Sequence, residues 1–523
     1  MADKYNVGLN LPGSETKETD ENSQEFISVR NAGLIPRSVR LEIASTMSLP
    51  DAPSKKLVEC SLLLADISGF TALGEKLTKE HGDSKGAEEF ASQMSDAISA
   101  LVNVTHRYEG ECVKIAGDCL ICTFSALPTD PEDEGDEAAF ERAKECALEM
   151  LKVVKDVNTD LDLHGGLASG QMQRIHLKEL RGSSPRSNSA RQRMKKTDEA
   201  TMSRAEFERS KQRWFLIAGR PIKIAAGLLD KAKAGTVKIF GGLNLTRDTK
   251  ITDITDDIEE SDMKQRMSKR GSMIDTYTAE LSTCPEIASS YIPPIVKARG
   301  GHGKFENEKR RVIVVFLSLP GLAKQSVTSE GVNEAHLNDV YSALKSVLTK
   351  FEGLMRDFLF EDKGCTLIAC FGINRITEVD ALRAVLFSLE ASSACSSLGD
   401  PCKIGISMGE CFTGICGHPA RNDFVVMGAE TNMAARLMGK AEVGKILVSE
   451  RVYNASRFQN YNFLNQYFVH LPYAQHSVTS HVHHFYQVDY PIIVNTSMFY
   501  FQDRLHQNHS MGRLSLFLLR HFL

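Results

Sequence analysis

No run of apolar residues in this chain approaches the roughly 20 needed to span a bilayer. The nearest candidate, Pro491–Phe501, is too short and partly polar. The opening MADKYNVGLN holds no apolar signal core, so a cytoplasmic rather than a secreted protein is expected. Nor is there an excess of basic residues: the formal net charge is −5 with the signs mixed, which gives no reason to expect nucleic acid as a partner. Twelve cysteines in 523 residues do not make a disulfide scaffold. Cys119 and Cys122 have CxxC spacing but sit in CLICTF, an apolar run that reads as a strand. Residues three apart on a strand point to opposite faces, which is poor geometry for shared metal ligation. From Ser456 onward Lys and Glu are missing, while eight of the 15 histidines collect there, among them His481, His483 and His484. No apolar period runs through this tail, so a third domain is not expected, and the sequence assigns the tail no role.

What the chain does contain, it contains twice. SLLLADISGF (61–70), VKIAGDCLICTF (113–124) and WFLIAGRPIKIAAGLL (214–229) recur as VIVVFLSLPGL (312–322), FEDKGCTLIACFG (360–372) and DFVVMGAETNMAARLM (423–438). The copies differ where chemistry is expected. Asp66 falls on Ser318 and Asp118 on Cys365, so only the first copy has paired carboxylates. Lys363, Asn432 and Arg436 fall on Ala116, Lys223 and Gly227, so only the second has these polar groups. Two half-sites that complement each other predict one working site between the copies.

Each copy alternates strands and helices in the order β-α-α-β-β-α-β, which predicts an α+β domain with an antiparallel-containing sheet covered on one face. A repeat of about 250 residues is a domain duplication rather than a solenoid. The expected organisation is a mobile arm over 1–55, a first domain over 56–245, a linker over 246–309, a second domain over 310–455 and the tail over 456–523. The Ser/Arg/Lys-rich stretch at about 172–212 is expected to be a disordered insertion in the first domain. Ser272, in SKRGSM of the linker, has the pattern of a basophilic kinase site, a short pattern that recurs by chance.

The segment around Asp66 suits a metal beside phosphates. Asp66 ends an apolar strand, so its carboxylate emerges at a fixed position, and the small Ser68-Gly69 turn lets backbone N–H groups approach a polyphosphate at the start of the next helix. Asp118 lies in a tight hairpin expected to run beside that strand. Two carboxylates on adjacent strands can hold a pair of Mg2+ ions, which require oxygen ligands. Taken singly, Asp66 reads as a helix cap and Asp118 as a turn residue; their joint occurrence with the complementary second copy points to a site.

With DISGFT, KIAGD, DKGC and GAETNMAAR, the chain resembles the class III nucleotidyl cyclases, and within them the soluble adenylyl cyclases with two fused catalytic domains. The resemblance covers about 57–240 and 310–450. It implies two ferredoxin-like βαββαβ domains forming an intramolecular pseudo-heterodimer, expected to be monomeric, that converts ATP to cyclic AMP and pyrophosphate with two Mg2+, for which Mn2+ can substitute. It further implies Asp66, Asp118 and the Ile67 carbonyl as metal ligands, and Ser68, Gly69, Phe70 and Thr71 as the phosphate-side segment. Lys363, Val425 and Val426 would lie at the base, Asn432 at the ribose and Arg436 at the reacting phosphoryl group.

Two positions depart from the family pattern. Val425 stands where Thr or Asp is usual, and valine cannot accept a hydrogen bond from the adenine amino group. Bicarbonate-responsive relatives resemble the chain at Lys114, a candidate anion site, but have Arg at the position of Ala226; Arg220 and Lys223 lie on the same segment. Weak or absent bicarbonate activation is expected. Two alternatives stay open: a cyclase with relaxed ATP/GTP choice, and an inactive relative that binds nucleotide or anion as a regulatory module.

Overall fold

The computed structural model describes residues 29–131, 134–180, 212–242, 244–246, 248–249, 280–281, 284–300, 308–361, 364–457, 468–474 and 482–488. Lys363, Ser272, His481 and the basic stretch 181–211 lie outside the described residues.

The first copy forms a seven-stranded sheet. Its strands are β1 (Ser54–Ser68), β2 (Glu111–Ala116), β3 (Cys119–Phe124), β4 (Asp162–Lys178), β5 (Arg213–Ala218), β6 (Thr236–Ile239) and β7 (Asn244–Thr246), in the order β2-β3-β1-β4-β6-β7 with β5 on β4. The second forms an eight-stranded sheet from β8 (Glu308–Leu319), β9 (Leu354–Glu361), β10 (Gly364–Phe371), β11 (Lys403–His418), β12 (Arg421–Met427), β13 (Ile446–Ser449), β14 (Phe468–Ala474) and β15 (Val482–Val488). There the order is β14-β15-β13-β11-β8-β10-β9 with β12 on β11. The central path β2-β3-β1-β4-β6 is thus repeated as β9-β10-β8-β11-β13.

The sheets are buried on both faces rather than one. Along β1, Leu63, Ala65 and Ile67 face the helices Phe70–His81, Asp83–Arg107 and Gly135–Val157, while Leu62 and Leu64 enter a core that includes the helix Arg220–Leu229 and side chains of the second copy. Along β8, Ile313, Val315 and Leu317 join that shared core with the helices Glu334–Lys350 and Asp380–Ser397, and Val312, Val314 and Phe316 pack on the opposite side. Period-2 alternation with both faces apolar explains why these strands read as unbroken apolar runs. Gly166 and Gly405 occupy the same place in the two copies. A Cβ there would meet the carbonyl oxygens of Ala225 and Ala434 at 2.0 and 2.2 Å, so glycine is what lets the helices Arg220–Leu229 and Ala429–Lys440 lie directly on the sheets.

Several boundaries differ from expectation. Within the expected mobile arm, the helix Arg37–Thr46 is packed: Ile35, Val39 and Ile43 are fully buried, and the Ser38 N–H donates to Glu111 Oε1 at 2.8 Å. The end of the linker is packed too, with Tyr291, Ile292 and Ile295 in the same cluster as that helix, and Tyr291 Oη lies 2.7 Å from His176 Nδ1. Strand β4 runs on to Lys178 because it pairs β1 from Ser54 onward and then β5, so the segment from Met172 to Lys178 is strand rather than insertion. In the tail, β15 pairs with β13 and β14 with β15, so its first part continues the second sheet. Cys119 and Cys122 do point to opposite faces, entering different core clusters.

Candidate active site

Strand register places Asp66 and Asp118 on neighbouring segments of one sheet. Asp66 is opposite Cys119 on β3 and opposite His164 on β4, and the Ile67 N–H donates to the Asp118 carbonyl at 3.0 Å. Asp118 occupies the two-residue turn between Ala116 and Cys119, behind Gly117 at φ +74°. In the second copy Ser318 is opposite Thr366, so Cys365 holds the place of Asp118 in structure as in sequence. The donor set suits a hard cation: two carboxylates flanking the Ile67 peptide supply only oxygen. Asp66, Asp118 and the Ile67 carbonyl would hold Mg2+.

His164 was not foreseen. Its Nε2 lies 3.3 Å from Asp66 Oδ2. Burial lowers its pKa, opposed by Asp118 and Asp162, so the ring is held toward the neutral form beside the carboxylates. No sequence motif marks it; only the β1–β4 register brings it to Asp66.

Gly69 caps the helix Phe70–His81 with φ +106°, and a Cβ there would meet the Asp160 carbonyl at 2.7 Å. Ser68 is half-buried, and its hydroxyl donates to the Asp162 carbonyl at 3.4 Å. The Phe70 ring belongs to the core, edge-on to Phe90 at 6.0 Å, so Phe70 offers only its backbone to a ligand. Thr71 lies in the first turn of that helix. Phe90 in turn meets Phe412 of β11 edge-on at 6.2 Å, and Phe412 is paired with Met427 at the end of β12. Three rings therefore connect the turn after Asp66 with the strand that leads into Ala429–Lys440.

On that helix Asn432 and Arg436 are exposed and one turn apart on one face, while Ala434, Ala435, Leu437 and Met438 are buried. Val425 and Val426 are buried on opposite faces of β12, Val425 against the first copy's core and Val426 against the N-terminal helix and linker. In the first copy the counterpart helix Arg220–Leu229 lines a cleft of about 480 Å3 with Arg220, Lys223, Gly227, Lys231, Phe240 and Val327.

Lys114 is half-buried, and its ammonium is already paired. Its Nζ lies 2.6 Å from Asp357 Oδ1 and 2.7 Å from Asp423 Oδ2, both on the second copy and both buried. Burial would raise the Asp423 carboxyl, but Lys114, Arg421 and Arg356 outweigh it and hold its pKa below the ordinary value.

A profile of the adenylate and guanylate cyclase catalytic domain matches residues 52–177 and 306–484. The chain belongs to this family. Adenylate cyclase type 10 of Homo sapiens is 24% identical over 431 residues, covering 79% of this chain and 26% of that protein. The Rattus norvegicus protein is 25% identical over 430 residues, covering 74% of this chain and 24% of its own. The chain therefore spans about a quarter of the length of these relatives. Among solved structures, the adenylyl cyclase CyaB from P. aeruginosa aligns with a TM-score of 0.30 at 24% identity, over 36% of this chain and 97% of that one. A class III adenylyl cyclase-like ATP-binding protein from Pseudomonas aeruginosa aligns with a TM-score of 0.49 at 12% identity, over 83% and 94%. Among the described residues no helix is long and apolar enough to cross a membrane.

Proposed function

We propose that this cyclase-family chain converts ATP to 3′,5′-cyclic AMP and pyrophosphate at one composite site between its copies. The observation that carries the reading is the asymmetry of the repeat. Asp66 ends β1 and Asp118 precedes its partner Cys119 on β3 in the first copy, where the second has Ser318 and Cys365. Asn432 and Arg436 share an exposed helical face in the second, where the first has Lys223 and Gly227.

In this mechanism the Asp66 and Asp118 carboxylates would hold two Mg2+, whose chemistry would be to lower the pKa of the attacking ribose hydroxyl and to neutralise the leaving pyrophosphate. Backbone N–H groups at Gly69 and Phe70 face the phosphates at the helix N-terminus. Asn432 orients the ribose, and Arg436 neutralises charge developing on the α-phosphoryl group. Lys363 donates to the base. The chemistry is positioning and electrostatics, as in phosphoryl transfer generally. Buried Val425 supplies no acceptor, which favours relaxed choice between ATP and GTP as the second reading. Lys114, already between two carboxylates, and buried Ala226 leave no built site for bicarbonate, so stimulation by bicarbonate is expected to be absent.

The test is incubation of purified chain with Mn2+ and either ATP or GTP, with both cyclic nucleotides quantified. Native chain should yield cyclic AMP, and Asp118→Ala should lower its rate by at least about 100-fold. No product from either nucleotide despite Mn-ATP binding would leave a nucleotide-binding module.

A further inference from the structure

The strand register makes Lys114 and Asp357 the same position in the two copies. Lys114 is opposite Ile121 and Asp357 opposite Ile368, and Ile121 and Ile368 stand opposite Leu64 and Phe316, two residues before Asp66 and Ser318. Even the irregularity is shared: β2 shifts register between Cys112 and Lys114, and β9 skips from Met355 to Asp357. The contacts are reciprocal as well, β12 lying against β2 and β5 against β9. An ion pair between two equivalent residues lies on the pseudo-two-fold axis of the molecule.

Around the axis the charges have no symmetric partners. Counting back from Gly219 and Gly428, which open equivalent helices, Trp214 holds the place of Asp423 and Gln212 that of Arg421. Arg421 Nε and Nη2 donate to the carbonyls of Cys112 and Val113 at 2.9 and 2.7 Å, capping the outer edge of β2, and Arg356 pairs with Asp357. On the other side Lys114 Nζ lies over the Trp214 ring, 6.0 Å from its centroid. Pairing of two first copies would set Lys114 against Lys114 with no carboxylate at hand. Pairing of two second copies would set Asp357 against Asp357 on the axis, each carboxylate keeping only the Arg356 and Arg421 of its own copy. Only unlike copies set a cation against a carboxylate on the axis itself, with Asp423 as a second acceptor for Lys114.

We infer that the Lys114–Asp357 pair is the pairing and register determinant of the two copies, and through β2 a positioning device for Asp118, which lies four residues beyond Lys114 in the same hairpin. Like charges facing each other on an axis act as the repulsive element that specificity requires. The effect on Asp118 rests on the proposed cyclase reading; the pairing role does not.

The experiment compares full-length native chain with Asp357→Lys, with the exchanged pair Lys114→Asp/Asp357→Lys, and with Arg142→Met, which breaks a buried ion pair to Asp130 remote from the axis. Hydrogen exchange without nucleotide should rise at least about 10-fold in residues 111–124 and 421–427 of Asp357→Lys and be largely restored in the exchanged pair. The Mn2+ concentration for half-maximal turnover should rise roughly 10- to 100-fold in Asp357→Lys, with rate recovered by excess Mn2+, and stay unchanged in Arg142→Met. Should Asp357→Lys fail to fold, recovery of soluble chain by the exchanged pair supports the inference and its failure overturns it. Unchanged exchange in Asp357→Lys, or exchange that the second substitution does not restore, overturns it too. A native chain without turnover would sink the cyclase reading while leaving the exchange result to decide the pairing.

Discussion

At Gly69 a single backbone angle carries both fold and site. With φ +106° and the Asp160 carbonyl close by, any Cβ must displace backbone. Gly69→Ala is expected to cost about 1–3 kcal/mol in urea unfolding and, on the proposed reading in which this turn would present N–H groups to the phosphates, to lower turnover. Val425 makes the opposite kind of prediction. On the proposed reading Val425→Thr would place an acceptor beside the base, and since a buried donor left unpaired costs about 1–3 kcal/mol, preference for ATP over GTP should rise about 5- to 150-fold in competition assays. His164 shows where reading by residue type stops. Asp66 and Asp118 announce themselves through local context, a strand end and a Gly-Asp turn, whereas His164 reaches Asp66 only because β4 pairs β1 at that register.

Among the elements, the helix Asp83–Arg107 and the β11–β12 hairpin meet through histidines. His106 and His418 lie 6.4 Å apart between ring centroids, both buried. Burial, with His418 and the nearby Arg40, Arg37 and Arg421, depresses His106 to about 3, and burial alone depresses His418 to about 4. Burial, with Arg213 and Arg174, likewise takes His176, where the linker packs on β4, to about 4. The folded chain prefers all three neutral. Above the unfolded pKa of about 6.5 they leave stability unchanged; below it the unfolded chain takes up protons that the folded chain refuses. Unfolding free energy should therefore fall from about pH 6.5 toward pH 4, by up to about 1.4 kcal/mol per pH unit for each histidine. Urea titrations at pH 7.5 and 5.5 check this, and His106→Gln should flatten the slope. The strands and helices of the two copies were legible because their apolar runs and glycine turns are local. The packing of Arg37–Thr46 and of Tyr291–Ile295 was not, because short segments among polar residues acquire burial only from the face they meet.

Over the whole molecule, the duplication could be read from alignment alone, and the β1–β3 and β8–β10 registers superimpose as that alignment requires. The hairpin leading into β10, however, is longer than its counterpart, so that register sets Leu359 and not Lys363 at the place of Ala116. What alignment did not convey is how the copies are joined. Lys114 drew notice as an anion ligand, yet its partners Asp357 and Asp423 are some 240 and 310 residues away in the chain and belong to no motif. Arg421 binds the edge of β2 at the same junction, and Arg421→Met would remove the donor of the Cys112 and Val113 carbonyls and leave Asp423 with Lys114 as its ion-pair partner. Leaving buried acceptors without their donor in this way costs about 1–3 kcal/mol, to be read as a lowered urea midpoint.

The chain has one tryptophan, and it stands at this junction. Trp214 Nε1 donates to the Phe358 carbonyl of the other copy at 2.6 Å, with the Lys114 ammonium over its ring. Its intrinsic fluorescence is thus a built-in optical gauge of whether the copies are closed on each other. A ligand that loosens them without unfolding either will move that single emission to the red while the far-ultraviolet circular dichroism stays still, and no label need be attached to see it.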